Sequence, residues 1–266
     1  MWPKSNYLNH LFENKESGFV MHDEKIKVGT VSYLNAKPLI YGFETGMMKE
    51  QIELIADYPS AIATLLLEHK IDIGLVPVAV IPQLSEYYII GNFCIGAVGE
   101  VASVCLFSNV PINEIQSVIL DYQSKTSVAL LKILLKHHWK INPVFIEGKE
   151  GYENKINGNT AGLVIGDRAM MQKKTSPYIY DLSSAWMEMT GLPFVFAAWI
   201  SNRPLSPEFI EMFDKANQLG FSNLDKVIAN FPEAGFDLLK YYTQFISYNL
   251  DNAKKEGLSR FLSLLS

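Results

Sequence analysis

Four polar side chains lie close together in the segment VGTVSYLNAKPLIYG, where a predicted strand gives way to a predicted helix. They are Ser32, Tyr33, Asn35 and Lys37. In a doubly wound α/β fold, ligands bind beyond the carboxyl ends of the strands, so this cluster is placed to hold a substrate through hydroxyl and amide groups. The alternative is a capped loop, in which Ser32 or Asn35 bonds backbone amides and Lys37 is solvated.

A second group of polar side chains opens the helix predicted over residues 125–140. Ser124, Thr126 and Ser127 in LDYQSKTSVALLKILL supply three hydroxyls beside free backbone N–H groups and the positive end of the helix dipole. A helix cap at Ser124 explains one hydroxyl but not the other two. The pattern therefore favours a binding site for a carboxylate or a phosphate.

A single arginine follows a predicted strand end in GLVIGDRAM. Arg168 is able to bind a substrate carboxylate through both of its guanidinium N–H groups. It is equally able to pair with Asp167 and brace the lining of a cleft, and this bracing role is the preferred interpretation.

Composition and motif content argue against several classes of function. The 23 basic and 28 acidic residues give a net charge of −5, which is unfavourable for nucleic-acid binding. The sequence has no GxSxG, GxxxxGK or GxGxxG motif, so serine hydrolases, kinases and NAD enzymes lack support. The five histidines do not have metal-ligand spacing, and Cys94 and Cys105 are predicted to be buried, reduced thiols. We therefore expect no metal site.

The chain also lacks the signals of export and of membrane insertion. No apolar run approaches the roughly 18 residues that a membrane helix needs. Residues 1–24 have neither the apolar core nor the cleavage site of a secretory signal, and they are predicted to be a disordered or extraneous extension, with Met21 as an alternative start. We expect a cytoplasmic protein with no membrane partner.

The elements that position the polar clusters alternate between strands and helices. Strands are predicted over residues 25–31, 52–57 and 71–76, with helices between them, which indicates a parallel, doubly wound sheet. A second set of strands and helices follows between two long apolar strands, VASVCLFS and FVFAAWIS, each of which ends in Ser-Asn-x-Pro. These two strands are predicted to carry the chain between two lobes, with a ligand cleft between them. The first lobe then comprises residues 25–108 and 201–266, and the second comprises residues 109–200.

Six segments, in order from about residue 26 to 200, resemble the chorismate dehydratases of the futalosine route to menaquinone. They are VGTVSYLNAKPLIYGF, IDIGLVPV, GEVASVCLFSNVPINEI, LDYQSKTSVALLKILL, GLVIGDRAM and DLSSAWMEMTGLPFVFAAW. The resemblance implies a two-lobe α/β fold like that of type II periplasmic binding proteins, used by a cytoplasmic enzyme. It also implies that chorismate, a dianion, loses water to give 3-[(1-carboxyvinyl)oxy]benzoate without a metal or cofactor.

Carried across by motif, the resemblance assigns catalytic roles to Asn35 in SYLN and to Ser103 in VASVCLF. The Asn35 amide would hold either the departing hydroxyl or a substrate carboxylate, and Ser103 would donate a hydrogen bond from the crossover strand. Ser108 is the fallback for Ser103, because alternation along a strand puts it on the opposite face. No protein base is assigned, since the resemblance allows the substrate's own side-chain carboxylate to take the proton. The substrate-binding set is Ser32, Tyr33, Ser124, Thr126, Ser127 and Arg168.

Two rival functions stay open at this point. The first is a binding protein that captures an aromatic dicarboxylate without converting it. The second is the 1,4-dihydroxy-6-naphthoate synthase of the same pathway, which shares the fold. The YLNxKP and GLPFVFAAW segments fit the dehydratase better than the synthase.

Overall fold

The computed structural model describes residues 25–173 and 176–265, which form two mixed β-sheets with helices packed around them. The predicted N-terminal extension lies outside the described residues. The strands are β1 (Ile26–Val31), β2 (Ile52–Asp57), β3 (Ile73–Pro77), β4 (Tyr88–Ala97), β5 (Val104–Ser108), β6 (Ser117–Leu120), β7 (Val144–Glu147), β8 (Thr160–Ile165), β9 (Tyr178–Asp181), β10 (Phe194–Ser201) and β11 (Ser247–Asn249). The α-helices are α1 (Lys37–Glu44), α2 (Pro59–Leu67), α3 (Lys125–Leu134), α4 (Gly166–Gln172), α5 (Leu182–Thr190), α6 (Pro207–Phe221), α7 (Leu224–Ala229), α8 (Leu238–Lys240) and α9 (Asn252–Ser263).

Each sheet combines parallel and antiparallel pairs. The first has the order β11-β4-β10-β3-β1-β2, and the second has the order β7-β6-β8-β5-β9. In the first sheet β1 is parallel to β2 and β3, as the alternation of strands and helices predicted, whereas β10 is antiparallel to β3 and β4. The purely parallel sheet expected from the sequence is therefore wrong for the strands next to the crossovers.

The two crossovers lie several residues before the predicted positions. β5 pairs with β8 and β9 and so belongs to the second sheet, whereas β10 belongs to the first. The chain therefore leaves the first sheet between Ala97 and Val104, and it returns between Thr190 and Phe194. Each Ser-Asn-x-Pro sequence follows a strand that has already crossed, and its proline ends strand pairing there.

Close helix packing fixes α1, the helix that follows the first polar cluster. A Cβ atom on Gly220 of α6 would lie 1.8 Å from the Pro38 carbonyl oxygen, and one on Gly42 would lie 2.1 Å from the Ala216 carbonyl oxygen. The two backbones touch here, so only glycine fits at either position. This contact holds the start of α1 against the first lobe.

The C-terminal part of the chain returns to complete the first lobe. The helices predicted over residues 207–220 and 251–265 correspond to α6 and α9, and α9 packs against β10. Between them, α8 continues into a single π-helical turn, Tyr241–Phe245, whose first residue is buried. None of the helices in residues 25–173 and 176–265 has the length and apolar character to span a membrane.

Candidate active site

A cavity lies between the two sheets, and both lobes contribute to its walls. The volume of this cavity is about 60 Å³. Most of the lining is apolar, with Leu75, Ile165 and Phe196 among its members. The polar side chains that line it among the described residues are Tyr33, Asn35, Ser103, Ser124 and Ser127. The sequence predicted all five as site residues, and the structure brings them together.

Asn35 lies in a single 3₁₀ turn, Leu34–Ala36, directly after β1. The turn is held by a backbone bond from the Ala36 N–H to the Tyr33 carbonyl and by the Tyr248 hydroxyl, which donates to the Asn35 carbonyl at 2.9 Å. The side-chain oxygen Oδ1 is buried and has no hydrogen-bond partner among the described residues. A buried acceptor without a partner is costly, so this atom is poised for a donor from a ligand.

Ser103 lies on the crossover before β5, in a strained turn. Ala102 has a φ of 64°, a left-handed conformation that is unfavourable for a residue with a Cβ. The Asp181 carboxylate holds this turn, because it accepts hydrogen bonds from the backbone N–H groups of Val101 at 3.1 Å and of Ala102 at 2.8 Å. Gly166 N–H donates to the Ser103 carbonyl at 2.7 Å. The Ser103 side chain is thereby fixed on the cavity wall.

Ser124 and Ser127 form a short relay at the start of α3. The Ser124 Oγ caps the helix by accepting from the Ser127 N–H at 3.2 Å, and it donates its own proton to the Ser127 Oγ at 2.9 Å. The Ser127 hydroxyl hydrogen is therefore free to point into the cavity. Together with the helix dipole this gives an electropositive wall suited to a carboxylate.

Tyr33 closes one side of the cavity and reaches across to the second lobe. Its hydroxyl donates to the Gln123 side-chain oxygen, and burial raises the pKa of Tyr33 well above its usual value. The phenol is therefore neutral and acts as a donor. Gln123 was not predicted as a functional residue, although it lies beside Ser124 in the LDYQSKTS segment.

Arg168 has partners of its own and does not line the cavity. Its Nη2 lies 2.6 Å from the Asp121 Oδ2 and 2.9 Å from the Gln123 Oε1, and its Nη1 lies 2.5 Å from the Glu153 Oε1. The predicted bracing role fits this geometry, but the predicted partner is wrong, because Arg168 pairs with Asp121 and Glu153 rather than with Asp167. Direct binding of a ligand by Arg168 has no support here.

Two further predicted site residues lie outside the cavity. Ser32 is exposed to solvent, and the Thr126 Oγ1 accepts a hydrogen bond from the Ala79 N–H at 3.2 Å. The prediction that these two side chains bind the substrate is therefore wrong. Both residues are close to the cavity in sequence, but neither side chain lines it. The fallback residue Ser108 is also turned away, and its hydroxyl caps the turn at Val110. Lys37 pairs with Glu44 at 3.3 Å.

Near the cavity lie one group that the sequence did not predict, Tyr241, and one that it predicted only as a partner of Arg168, Asp167. Tyr241 donates to the Ser103 Oγ at 2.9 Å, and Asp167 follows the cavity residue Gly166. Burial raises the pKa of the Asp167 carboxyl to about 6, and no cation of the described chain lies within ion-pair distance of it. Tyr241 gave no sequence signal, because it lies 138 residues from Ser103 in a segment without a motif.

We expect the Asp167 carboxyl to make the stability depend on pH. The unfolded chain releases this proton near 3.8, whereas the folded protein holds it to about 6. Between these values the folded state binds more protons, so the free energy of unfolding falls as the pH rises. Asp167→Asn is expected to flatten this window and to raise the free energy of unfolding at neutral pH by about 2 kcal/mol. Urea unfolding at several pH values measures both effects, with the exposed Glu233→Gln as a control; parallel pH curves for wild type and Asp167→Asn would contradict the expectation.

The described residues contain no group of three or more His, Cys, Asp or Glu side chains able to hold a metal ion. Cys94 and Cys105 are free and buried, as predicted. Burial raises the pKa of the Cys94 thiol to about 12, so it stays protonated at neutral pH.

Comparison with known proteins gives both a family and a fold. Residues 26–266 match the profile of a family described as menaquinone biosynthesis. A relative from Thermus thermophilus, named chorismate dehydratase, is 28% identical over 261 residues, covering 90% of this chain and 94% of the relative.

Solved structures confirm the predicted two-lobe fold. A protein from Archaeoglobus fulgidus aligns with a TM-score of 0.72 at 16% identity, over 91% of this chain and 97% of its own. The periplasmic aliphatic sulphonate binding protein of Escherichia coli aligns with a TM-score of 0.61 at 14% identity, over 91% and 85%. A Candida albicans protein described as having the generic periplasmic binding protein fold gives 0.60 at 12% identity, over 91% and 90%.

Proposed function

The chain belongs to the menaquinone biosynthesis family, and from that premise we propose that it removes water from chorismate to give 3-[(1-carboxyvinyl)oxy]benzoate. The relative named chorismate dehydratase, with 28% identity over most of both chains, supports this reaction. The proposal includes the cytoplasmic location expected from the sequence and a place in the futalosine route.

The observation that carries the proposal is the unpartnered oxygen of Asn35. This Oδ1 is buried and lines the cavity, so its partner must be a hydrogen-bond donor. Carboxylates only accept hydrogen bonds, and the chorismate dianion therefore has a single donor, its ring hydroxyl. Of the two roles left open for Asn35, holding the departing hydroxyl fits this atom and holding a carboxylate through Oδ1 does not.

Ser103 completes the contact with the leaving group. Its Oγ already accepts a hydrogen bond from Tyr241, which leaves its own hydrogen to be donated into the cavity. In the proposed pose the Ser103 hydroxyl donates a hydrogen bond to the oxygen of the ring hydroxyl, while the Asn35 Oδ1 accepts one from the hydrogen of the same hydroxyl. The two contacts orient the carbon–oxygen bond and stabilise negative charge as it breaks.

The elimination breaks one carbon–hydrogen bond and one carbon–oxygen bond at neighbouring ring carbons, and it leaves the ring aromatic. The carbon bearing the ether loses its proton, the electron pair of that bond enters the ring, and the neighbouring carbon loses hydroxide, which takes up the released proton as water. The substrate's side-chain carboxylate is close enough to its own ring to accept the proton first. The protein then contributes orientation, charge stabilisation and exclusion of water.

The start of α3 supplies the binding site for the ring carboxylate in this proposal. We expect Ser127→Ala to raise the KM for chorismate by about tenfold to a hundredfold, because a hydrogen bond to a charged group is lost, and to change kcat little. Steady-state kinetics measure both constants. Ser108→Ala is the matched control, since Ser108 is also buried but lies outside the cavity. An unchanged KM in Ser127→Ala would remove the carboxylate from this wall.

The experiment that tests the function is incubation of the purified protein with chorismate, followed by mass spectrometry. We expect an aromatic product lighter than chorismate by one water. Binding without conversion, seen as thermal stabilisation by chorismate alone, would instead support a binding protein. If chorismate is neither bound nor converted, the proposal is overturned, and the substrate of the naphthoate synthase is the next to test.

A further inference from the structure

Tyr241 contacts Ser103, one of the two residues proposed to hold the departing hydroxyl, although it does not line the cavity itself. It begins the π-helical turn Tyr241–Phe245 in the part of the chain that returns to the first lobe. Its side chain is 1% exposed, and its ring packs edge-on against Phe236 with centroids 5.4 Å apart. The hydroxyl is therefore held in one place by the packing of its ring.

The Tyr241 hydroxyl reaches Ser103 on the crossover to the second lobe. It donates to the Ser103 Oγ at 2.9 Å, across 138 residues of sequence. Burial raises the pKa of Tyr241, and the hydrogen bond with the Ser103 side chain acts in the opposite direction. The phenol is neutral and keeps its proton, so it remains the donor in the bond to Ser103.

This bond determines where the Ser103 hydrogen points. A serine hydroxyl has one hydrogen and two lone pairs, and without Tyr241 the hydrogen is free to rotate toward any nearby acceptor. Once a lone pair is occupied by the tyrosine, the hydrogen is left to point into the cavity.

We propose that Tyr241 is a positioning residue that aligns Ser103 as a donor toward the same substrate hydroxyl that Asn35 is proposed to hold. This inference rests on the proposed dehydration. It assigns to the C-terminal segment a role in the chemistry, because the π-helical turn places its first hydroxyl against the Ser103 side chain of the crossover.

The test is the variant Tyr241→Phe, which keeps the packed ring and removes only the hydroxyl. We expect kcat for chorismate to fall about tenfold or more, because the hydrogen bond that orients Ser103 is lost, while KM stays within about twofold. Tyr242→Phe is the matched control, since Tyr242 lies in the same turn and its buried hydroxyl has no partner among the described residues. It is expected to behave as wild type.

A double variant separates positioning from a general loss of structure. Because Tyr241 is proposed to act through Ser103, adding Tyr241→Phe to Ser103→Ala should lower kcat no further. Equal kcat in Tyr241→Phe and wild type, or independent losses that multiply in the double variant, would overturn the inference while the dehydration stands. Failure of the wild-type protein to convert chorismate would overturn both, and it is read in the wild-type assay before any variant is measured.

Discussion

Asn35→Ala is expected to lower kcat for chorismate dehydration by about a hundredfold to a thousandfold, the size of effect seen when one preorganised hydrogen-bonding group is removed from an active site. The reason is that the hydrogen bond from the substrate hydroxyl to Oδ1 aligns the carbon–oxygen bond of the substrate for elimination, and the alanine variant lacks this bond. The backbone of the turn should survive, because Tyr248 bonds the Asn35 carbonyl and not the side chain. Single-turnover measurements with excess enzyme, followed by product absorbance, report the chemical step directly.

The control for Asn35 is the same substitution at an exposed asparagine of the second lobe. Asn109→Ala removes a side chain whose one bond, to Asn157, is 3.4 Å long and exposed, so its kinetics should match wild type. A kcat in Asn35→Ala within about threefold of wild type would contradict the proposed contact, because the loss would then be smaller than that of an ordinary hydrogen bond. A rise in KM at constant kcat would instead assign Asn35 to ground-state binding.

The polar lining of the cavity was predictable because its residues follow local rules. Asn35 comes directly after β1, and Ser124 and Ser127 begin α3, and both positions are fixed by short-range signals in the sequence. The same rules failed for Thr126, which sits between the two serines. On a helix, neighbouring positions face different directions, so Thr126 bonds the backbone of Ala79 instead.

What could not be predicted depends on contacts between distant parts of the chain. Tyr241 and Ser103 are separated by the whole second lobe, and nothing in YYTQF distinguishes the first tyrosine from the second. The partners of Arg168 likewise come from two other segments, at Asp121 and Glu153. The crossover positions were predicted wrongly for a related reason. β5 pairs antiparallel with β8, and β10 pairs antiparallel with β3, and these pairings depend on the neighbouring strands of each sheet and not on the sequences of β5 and β10 alone.

The Asp121 carboxylate accepts hydrogen bonds from three residues of the second lobe. Its side chain is fully buried, and it accepts from Arg168 at 2.6 Å, from the Tyr152 hydroxyl at 2.8 Å and from the Gln123 N–H at 2.7 Å. Arg168 in turn bonds the Gln123 side chain, which accepts from the Tyr33 hydroxyl. One buried carboxylate thus supports both the second lobe and the wall of the cavity.

Asp121→Ala is therefore expected to cost about 3 kcal/mol of the free energy of unfolding, since removing one partner of a buried ion pair leaves the other without compensation. The estimate stands at the low end because Arg168 keeps Glu153 and is partly exposed. Urea unfolding gives the value, and Glu211→Gln is the control, because its ion pair with Lys215 is exposed and is worth about 1 kcal/mol or less. If Asp121→Ala cost no more than this control, the hydrogen-bond network around Asp121 would not contribute to the free energy of unfolding, and the orientation of Gln123 toward Tyr33 would need another cause.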